Sequence, residues 1–113
     1  MKVSFDSEIA KEYGINVAVI LNILHSQIEH YKANNLNFYD GRYWMFNSIE
    51  DWRKQIGFMT FNTIRRTFEK MIKEGLVITG NFNASKFNRM KWYALTDKAN
   101  SFLEKSILPI KTH

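Results

Sequence analysis

Residues 61–95 read FNTIRRTFEKMIKEGLVITGNFNASKFNRMKWYAL, and the predicted fold depends on this segment. Apolar residues at helical spacing predict an amphipathic helix that starts at Phe61, after the capping residue Thr60, and is closed by Gly75. Residues 76–79 are then predicted as a short buried strand, and residues 89–95 alternate as a second strand. The polar segment between the two strands is predicted to be the turn of a hairpin.

The two sides of this helix differ in chemistry. The side predicted to be buried holds Phe61, Ile64, Phe68, Met71 and Ile72. The opposite side holds Asn62, Thr63, Arg66, Lys70 and Lys73, with Arg65 and Thr67 at its flanks. Because the first side has no ionisable group and the second is short of acids, we expect a basic helix face in contact with solvent.

The positive charge of the chain is concentrated in the same region. Seven basic and two acidic side chains lie between Thr60 and Lys91, which accounts for the whole net charge of +5. The rest of the chain holds nine of each sign and balances. A localised basic field is the expected footprint of a contact with nucleic-acid phosphates, and the alternative is a solvated basic face on an unrelated domain.

Composition limits what else the protein can be. A chain of 113 residues suits one domain, which we place at residues 1–106, followed by a C-terminal tail at 107–113. The absence of cysteine excludes disulfides and thiolate metal sites and favours a reducing compartment. No apolar run approaches the roughly 18 residues of a membrane span, and the first residues do not resemble a secretory signal. We therefore expect a soluble, cytoplasmic protein without a membrane partner.

Two helices are predicted before residue 34. Asp6 is a plausible cap for a short helix over residues 7–13, which Gly14 ends, and a long helix follows from Ile15. One apolar stripe of the long helix holds Val17, Leu21, Leu24, Ile28 and Tyr31, and a second holds Ile15, Val19 and Ile23. Since a surface helix needs only one apolar face, the second stripe indicates either burial beneath the short helix or a homodimer interface.

A turn and a third helix are predicted next. Asp40-Gly41 favours a tight turn between residues 37–39 and residues 42–46. Ser48 opens a capping-box pattern for a short helix that ends near Ile56. A three- to four-residue turn then joins this helix to the basic one, which is the helix-turn-helix plan. The predicted fold class is α+β, a winged helix-turn-helix that is mainly helical with a small antiparallel sheet. Residues 97–105 are predicted as a last helix.

The helix-turn-helix plan predicts which residues would contact DNA. The first turns of the second helix lie nearest the bases, so Asn62, Thr63, Arg66 and Thr67 are the candidates for base recognition. Arg65, Lys70 and Lys73 are better placed for phosphates. In the hairpin, the candidates are Asn83, Ser85, Lys86, Arg89 and Lys91. The alternative is that all of these are solubilising residues.

The remaining aromatic and histidine residues favour structure over chemistry. Phe82 and Phe87 are predicted to form a cross-strand pair, and the three tryptophans are predicted to lie in the core. His25 and His30 are five residues apart, which does not align two metal ligands on a helix. We expect no cofactor, no metal and no enzymatic activity.

The run DGRYWMFNS at residues 40–48, with Trp52, Thr63-Ile64 and EGL at residues 74–76, resembles the winged-helix domain of phage and plasmid replication initiators (replisome organisers) of low-GC Gram-positive bacteria. GNFN at residues 80–83 and KWY at residues 91–93 continue the similarity, which extends from residues 18–24 to about Thr96. These are mainly core and turn residues, so they indicate the fold better than the DNA site. The resemblance implies binding of repeated origin sites in double-stranded DNA as a homodimer.

Such initiators usually continue into a second domain that assembles oligomers or recruits a helicase loader. The chain is therefore expected to be either a fragment of an initiator or a small accessory protein that marks a plasmid's transfer origin for conjugation beside relaxosome proteins. A small transcriptional repressor is one alternative. A protein-interaction module that binds a replication or transfer protein is the other.

Overall fold

The structure, a computed structural model, describes residues 5–85 and 90–107, with side chains described as far as residue 103. It is an α+β arrangement of five helices and two small antiparallel sheets within these residues. The helices are α1 (Ser7–Tyr13), α2 (Ile15–Ala33), α3 (Ile49–Ile56), α4 (Phe61–Lys73) and α5 (Asp97–Ile107). The strands are β1 (Phe38–Tyr39), β2 (Arg42–Tyr43), β3 (Met45–Asn47), β4 (Val77–Gly80) and β5 (Lys91–Leu95).

Helix α2 forms the centre of the core because most residues of its two apolar stripes are buried. Helix α1 packs along it, and α4, β3 and β5 pack on its other sides. Val19 and Ile23 are buried within the single chain, whereas Ile15, at the first position of α2, is 55% exposed. Burial therefore accounts for Val19 and Ile23, and of the three residues predicted as a dimer interface only Ile15 presents its side chain to solvent.

The predicted tight turn is confirmed. Asp40 and Gly41 both have positive φ angles, 50° and 75°, as a two-residue hairpin turn requires, and they join β1 to β2. Residues 42–46 do not form one continuous strand, because the chain passes from β2 to β3 at Trp44 and β3 pairs with β5. Arg42 ties the hairpin to the rest of the fold, since its Nη1 donates to the carbonyl of Leu95 at 3.0 Å.

The capping residues at the helix starts are also confirmed. The side chains of Asp6, Ser48 and Thr60 accept hydrogen bonds from backbone amides in the first turns of α1, α3 and α4. Residues 57–60 join α3 to α4, and Glu74 and Gly75 follow the last turn of α4. The two helices pack against each other, and α4 also packs against α2.

The three-stranded sheet has the order β3-β5-β4, and both of its faces are covered. On the inner face, Tyr93 and Leu95 of β5 join the core around α2. On the outer face, Trp92 and Ala94 pack with Trp44 in a second apolar cluster, to which Phe82 adds its ring. The predicted alternation of β5 is correct, but Tyr93 is buried although it lies on the same side as Lys91. The order of helices and strands is compatible with a winged-helix-like fold.

The described helices include none that is both long and apolar enough to span a bilayer.

Candidate nucleic-acid interface

Helix α4 presents its polar side to solvent immediately after the turn from α3. We call the exposed residues on this side the outer face of α4, and they are Asn62, Arg65, Arg66, Glu69, Lys70 and Lys73. At 100° per residue, four of them fall within a narrow arc at its centre, namely Asn62, Arg66, Glu69 and Lys73. The structure therefore brings together five of the seven polar residues predicted for this helix, and it adds one acid, Glu69.

Thr67 does not belong to the outer face, which corrects its predicted role in base recognition. Its side chain is only 7% exposed, and its hydroxyl donates to the carbonyl of Thr63 at 2.7 Å. Thr63 is half-buried, and its hydroxyl accepts a hydrogen bond from the hydroxyl of Thr60 at 2.9 Å. The candidates for base contact in the first two turns that remain exposed are Asn62 and Arg66.

The buried side of α4 is rotated from the one that the sequence predicts. Phe61 and Ile72, both predicted to be buried, are 46% and 44% exposed, and Thr67 is buried in their place. The reason is the position of α4 against the junction of α1 and α2, which covers the side that carries Thr63 and Thr67. The opposite flank is left uncovered, so two apolar side chains border the outer face.

Lys70 reaches from α4 to this junction. Its Nζ donates to the backbone carbonyl of Tyr13 at 2.7 Å, at the C-terminus of α1. A cation there stabilises the last carbonyls of a helix. Lys70 was predicted to contact phosphate. The structure gives it a role in tertiary structure, although its ammonium group has further donors.

A groove of about 400 Å³ lies between α4 and the α1–α2 junction. Arg66 and Lys70 line one side, and the backbone around Gly14 lines the other. No side chain caps the start of α2 at Gly14, so the first-turn amides of α2 lie at this groove and add the positive end of a helix dipole. The sequence analysis did not predict this backbone contribution. The available signal was Gly14, which precedes a long helix and has no side chain to cap it.

The acidic residue of the outer face is paired with a base. Arg65 Nη1 and Glu69 Oε2 are 3.3 Å apart, and both side chains are at least half exposed. An exposed pair of this kind contributes little to stability and breaks readily. Arg65 can therefore reach a phosphate, but only in competition with Glu69.

Helix α3 has its own exposed pair. The Arg53 guanidinium donates to the Glu50 carboxylate at 2.6 and 3.0 Å. This hydrogen bonding holds the pKa of Glu50 below its ordinary value and raises the pKa of Arg53. Arg53 of α3 thus faces a nearby acid, whereas Arg66 and Lys73 at the centre of the outer face, like Lys54 of α3, have no salt-bridge partner among the described residues.

The β4–β5 connection corrects the prediction for Asn83. Its side chain bridges the two sides of this connection, because Nδ2 donates to the carbonyl of Met90 at 2.9 Å and Oδ1 accepts from Trp92 Nε1 at 2.9 Å. Asn83 thus holds the connection together instead of pointing outward as a DNA contact. Ser85 and Lys91 are exposed. Lys86 and Arg89, also predicted to contact DNA, lie outside the described residues.

Phe82 fixes the same connection to the sheet. Its ring stacks on Tyr39, with 4.7 Å between centroids, and contacts Trp44 and Trp92 at 4.8 and 5.7 Å. The predicted partner Phe87 lies outside the described residues. Gly80 allows this packing, since a Cβ at that position would lie 2.9 Å from Phe82 and 3.0 Å from Trp44.

Groups of three or more metal-binding side chains do not occur within the described residues. His25 Nε2 and Glu29 Oε1, one turn apart on α2, are separated by 3.5 Å. His25 also lines a second groove, which lies beside the β1–β2 hairpin.

Comparison of the chain with known protein families, with characterised proteins and with solved structures finds no match.

Proposed function

We propose that this protein is a winged helix-turn-helix domain that binds double-stranded DNA. In this proposal α3 and α4 are the two helices of the motif, and the β4–β5 hairpin is the wing. The observation that carries it is the outer face of α4, where Asn62, Arg66 and Lys73 are exposed at the centre of the helix that follows the turn.

The chemistry of this face suits a duplex. A guanidinium can clamp the O6 and N7 atoms of guanine, and an asparagine amide can pair with adenine in the same groove. Arg66 and Asn62 lie in the first two turns, which come nearest to the bases when a recognition helix enters the major groove. Lys73 is in the last turn, where a contact with phosphate is the natural role.

The proposal extends to a biological role through the sequence resemblance described above. The protein would mark an origin on a plasmid or phage, either for replication or for conjugative transfer. Binding as a homodimer belongs to the same proposal, and Ile15 is the exposed residue available to it. Sedimentation of the protein alone and with DNA tests this part, and a monomer in both conditions would remove it.

Selection of binding sites from a library of random duplexes tests the DNA proposal. We expect the wild type to enrich a defined site. Arg66→Ala should cost about 1–3 kcal/mol and relax the preference at one base pair if Arg66 clamps a base. Lys73→Ala should weaken binding to all sequences alike.

Lys54→Ala is the matched control for these variants, because Lys54 is an exposed base on α3, outside the outer face. It should retain both the selected site and the affinity. Selection of no sequence at low salt would contradict the DNA proposal. An unchanged site for Arg66→Ala would remove α4 from base recognition and favour the wing.

One observation favours a second candidate, a module that binds a replication or transfer protein. Two rings beside the outer cluster of the sheet are exposed, namely those of Tyr39 and Phe46. Both contact the buried ring of Trp92, so they lie on the same side of the sheet as one aromatic patch. Phe46→Ser should leave DNA binding unchanged if this surface serves a protein partner, and it should abolish capture of that partner.

A further inference from the structure

Two phenylalanine side chains at the start of α4 are exposed without a structural reason. Phe58, in the turn after α3, is 60% exposed, and Phe61, the first residue of α4, is 46% exposed. Neither belongs to either apolar cluster of the fold, and neither stacks on another described ring. Apolar side chains of this size gain free energy when they leave water, so both rings would gain from contact with a ligand.

Helix capping does not explain these residues. The apolar contact that usually fixes a helix start joins the residue before the cap to the fourth helical residue. In α4 these positions are Met59 and Ile64, and both are buried in the core. The start of α4 is therefore already secured, and the flanking rings of Phe58 and Phe61 are available to a ligand.

The position of the rings restricts the ligand. Phe61 precedes Asn62 directly and lies one turn before Arg65, so an apolar surface adjoins the basic outer face at the end nearest the bases. A ligand that covers both surfaces must be anionic and also carry apolar groups at the depth of the base edges. In duplex DNA, the 5-methyl group of thymine is the apolar group that the major groove displays.

We propose that Phe58 and Phe61 read thymine methyl groups in the major groove and give the protein a preference for sites with thymine at defined positions. This inference rests on the proposed binding of DNA by α4. It adds a source of specificity that hydrogen bonding by Asn62 and Arg66 does not supply.

Replacement of thymine by uracil tests the inference, because it removes the methyl group and leaves base pairing and phosphate charge unchanged. Fluorescence anisotropy would compare a selected duplex with the same duplex containing deoxyuridine. For the wild type we expect a loss of affinity of about fourfold for each methyl group contacted, as the burial of one carbon unit predicts. Phe58→Ala and Phe61→Ala should bind the thymine duplex more weakly and lose discrimination between thymine and uracil at one position each.

Ile72→Ala is the matched control, since Ile72 is exposed to nearly the same degree as Phe61. It lies in the last turn of α4, about 16 Å from Phe61 along the helix axis. It should discriminate as the wild type does. Circular dichroism would establish that all three variants fold, as expected for exposed positions.

The outcomes separate this inference from the proposed function. Equal affinity of the wild type for thymine and uracil duplexes would overturn the role of the rings and leave DNA binding intact. Wild-type affinity and wild-type discrimination between thymine and uracil in both phenylalanine variants would also overturn the role of the rings and leave DNA binding intact. The rings would then serve another contact. Failure of the wild type to bind any duplex would overturn both.

Discussion

Asn83 provides the sharpest contrast between a structural and a DNA-contacting role. The substitution Asn83→Ala removes the bonds of its amide to the carbonyl of Met90 and from the indole of Trp92. The ring of Trp92 is buried in the outer cluster, so its Nε1–H loses its partner without gaining ready access to water. We expect the β4–β5 connection to loosen and the folded state to be destabilised.

The magnitude follows from the unsatisfied donor. A buried donor without a partner costs about 1–3 kcal/mol, and for a domain of this size about 2 kcal/mol lowers the Tm by roughly 10 °C. Urea unfolding followed by tryptophan fluorescence measures this loss. The slope of the unfolding free energy against urea concentration should stay unchanged if the folded and unfolded states keep their compactness. DNA affinity should fall modestly and equally for all sequences, because Asn83 touches no base in our account.

Asn62→Ala is the reciprocal control. Asn62 is an exposed amide in the first turn of α4, so its removal should change stability by less than about 0.5 kcal/mol and should weaken binding to the selected site. Wild-type stability of Asn83→Ala together with altered base preference would make Asn83 a direct DNA contact and exclude its structural role.

Three further predictions concern residues that stabilise the fold around α4 and the three-stranded sheet. Gly80→Ala places a Cβ against Phe82 and Trp44 and should cost about 1–3 kcal/mol in urea unfolding, and Phe82→Leu should recover part of that loss. Lys70→Met removes the bond to the Tyr13 carbonyl and should cost about 1 kcal/mol by the same measurement, whereas Lys73→Met should cost almost nothing. Burial raises the pKa of Tyr93 to about 12, so the unfolded chain loses this proton first. The contribution of Tyr93 to the free energy of unfolding should be fully present below pH 10 and fall by about 2 kcal/mol between pH 10 and 12. An alkaline titration of stability should show this loss in the wild type, and Tyr93→Phe should lack it.

Local signals in the sequence predicted the elements well. A side chain that accepts a hydrogen bond from an amide three residues later depends on neighbouring residues alone, so Asp6, Ser48 and Thr60 could be identified as caps before any tertiary contact was known. The hairpin turn at Asp40-Gly41 is equally local, because it depends on two positive φ angles.

The orientation of α4 could not be predicted in the same way. Helical spacing defines an apolar arc, but the neighbours of the helix decide which edge of that arc is covered. The α1–α2 junction, about fifty residues earlier in the chain, buries Thr67 and leaves Phe61 and Ile72 in solvent. The bond from Lys70 to Tyr13 spans the same distance in sequence.

The polar residues of the wing posed a related problem. An asparagine in a turn can point outward to a ligand or inward to satisfy a buried donor, and composition does not distinguish the two. The inward role of Asn83 depends on Trp92, which lies on the next strand and needs a partner for its indole.

The dependence of DNA affinity on salt shows whether the outer face of α4 binds a duplex. With about six phosphates neutralised, the logarithm of the association constant should fall with the logarithm of salt concentration at a slope near −5. The double substitution of Arg66 and Lys73 by glutamine should make that slope shallower by about 2, whereas the same change at Arg53 and Lys54 on α3 should leave it unchanged. A slope near zero, or one altered by the α3 pair and not by the α4 pair, would contradict the account.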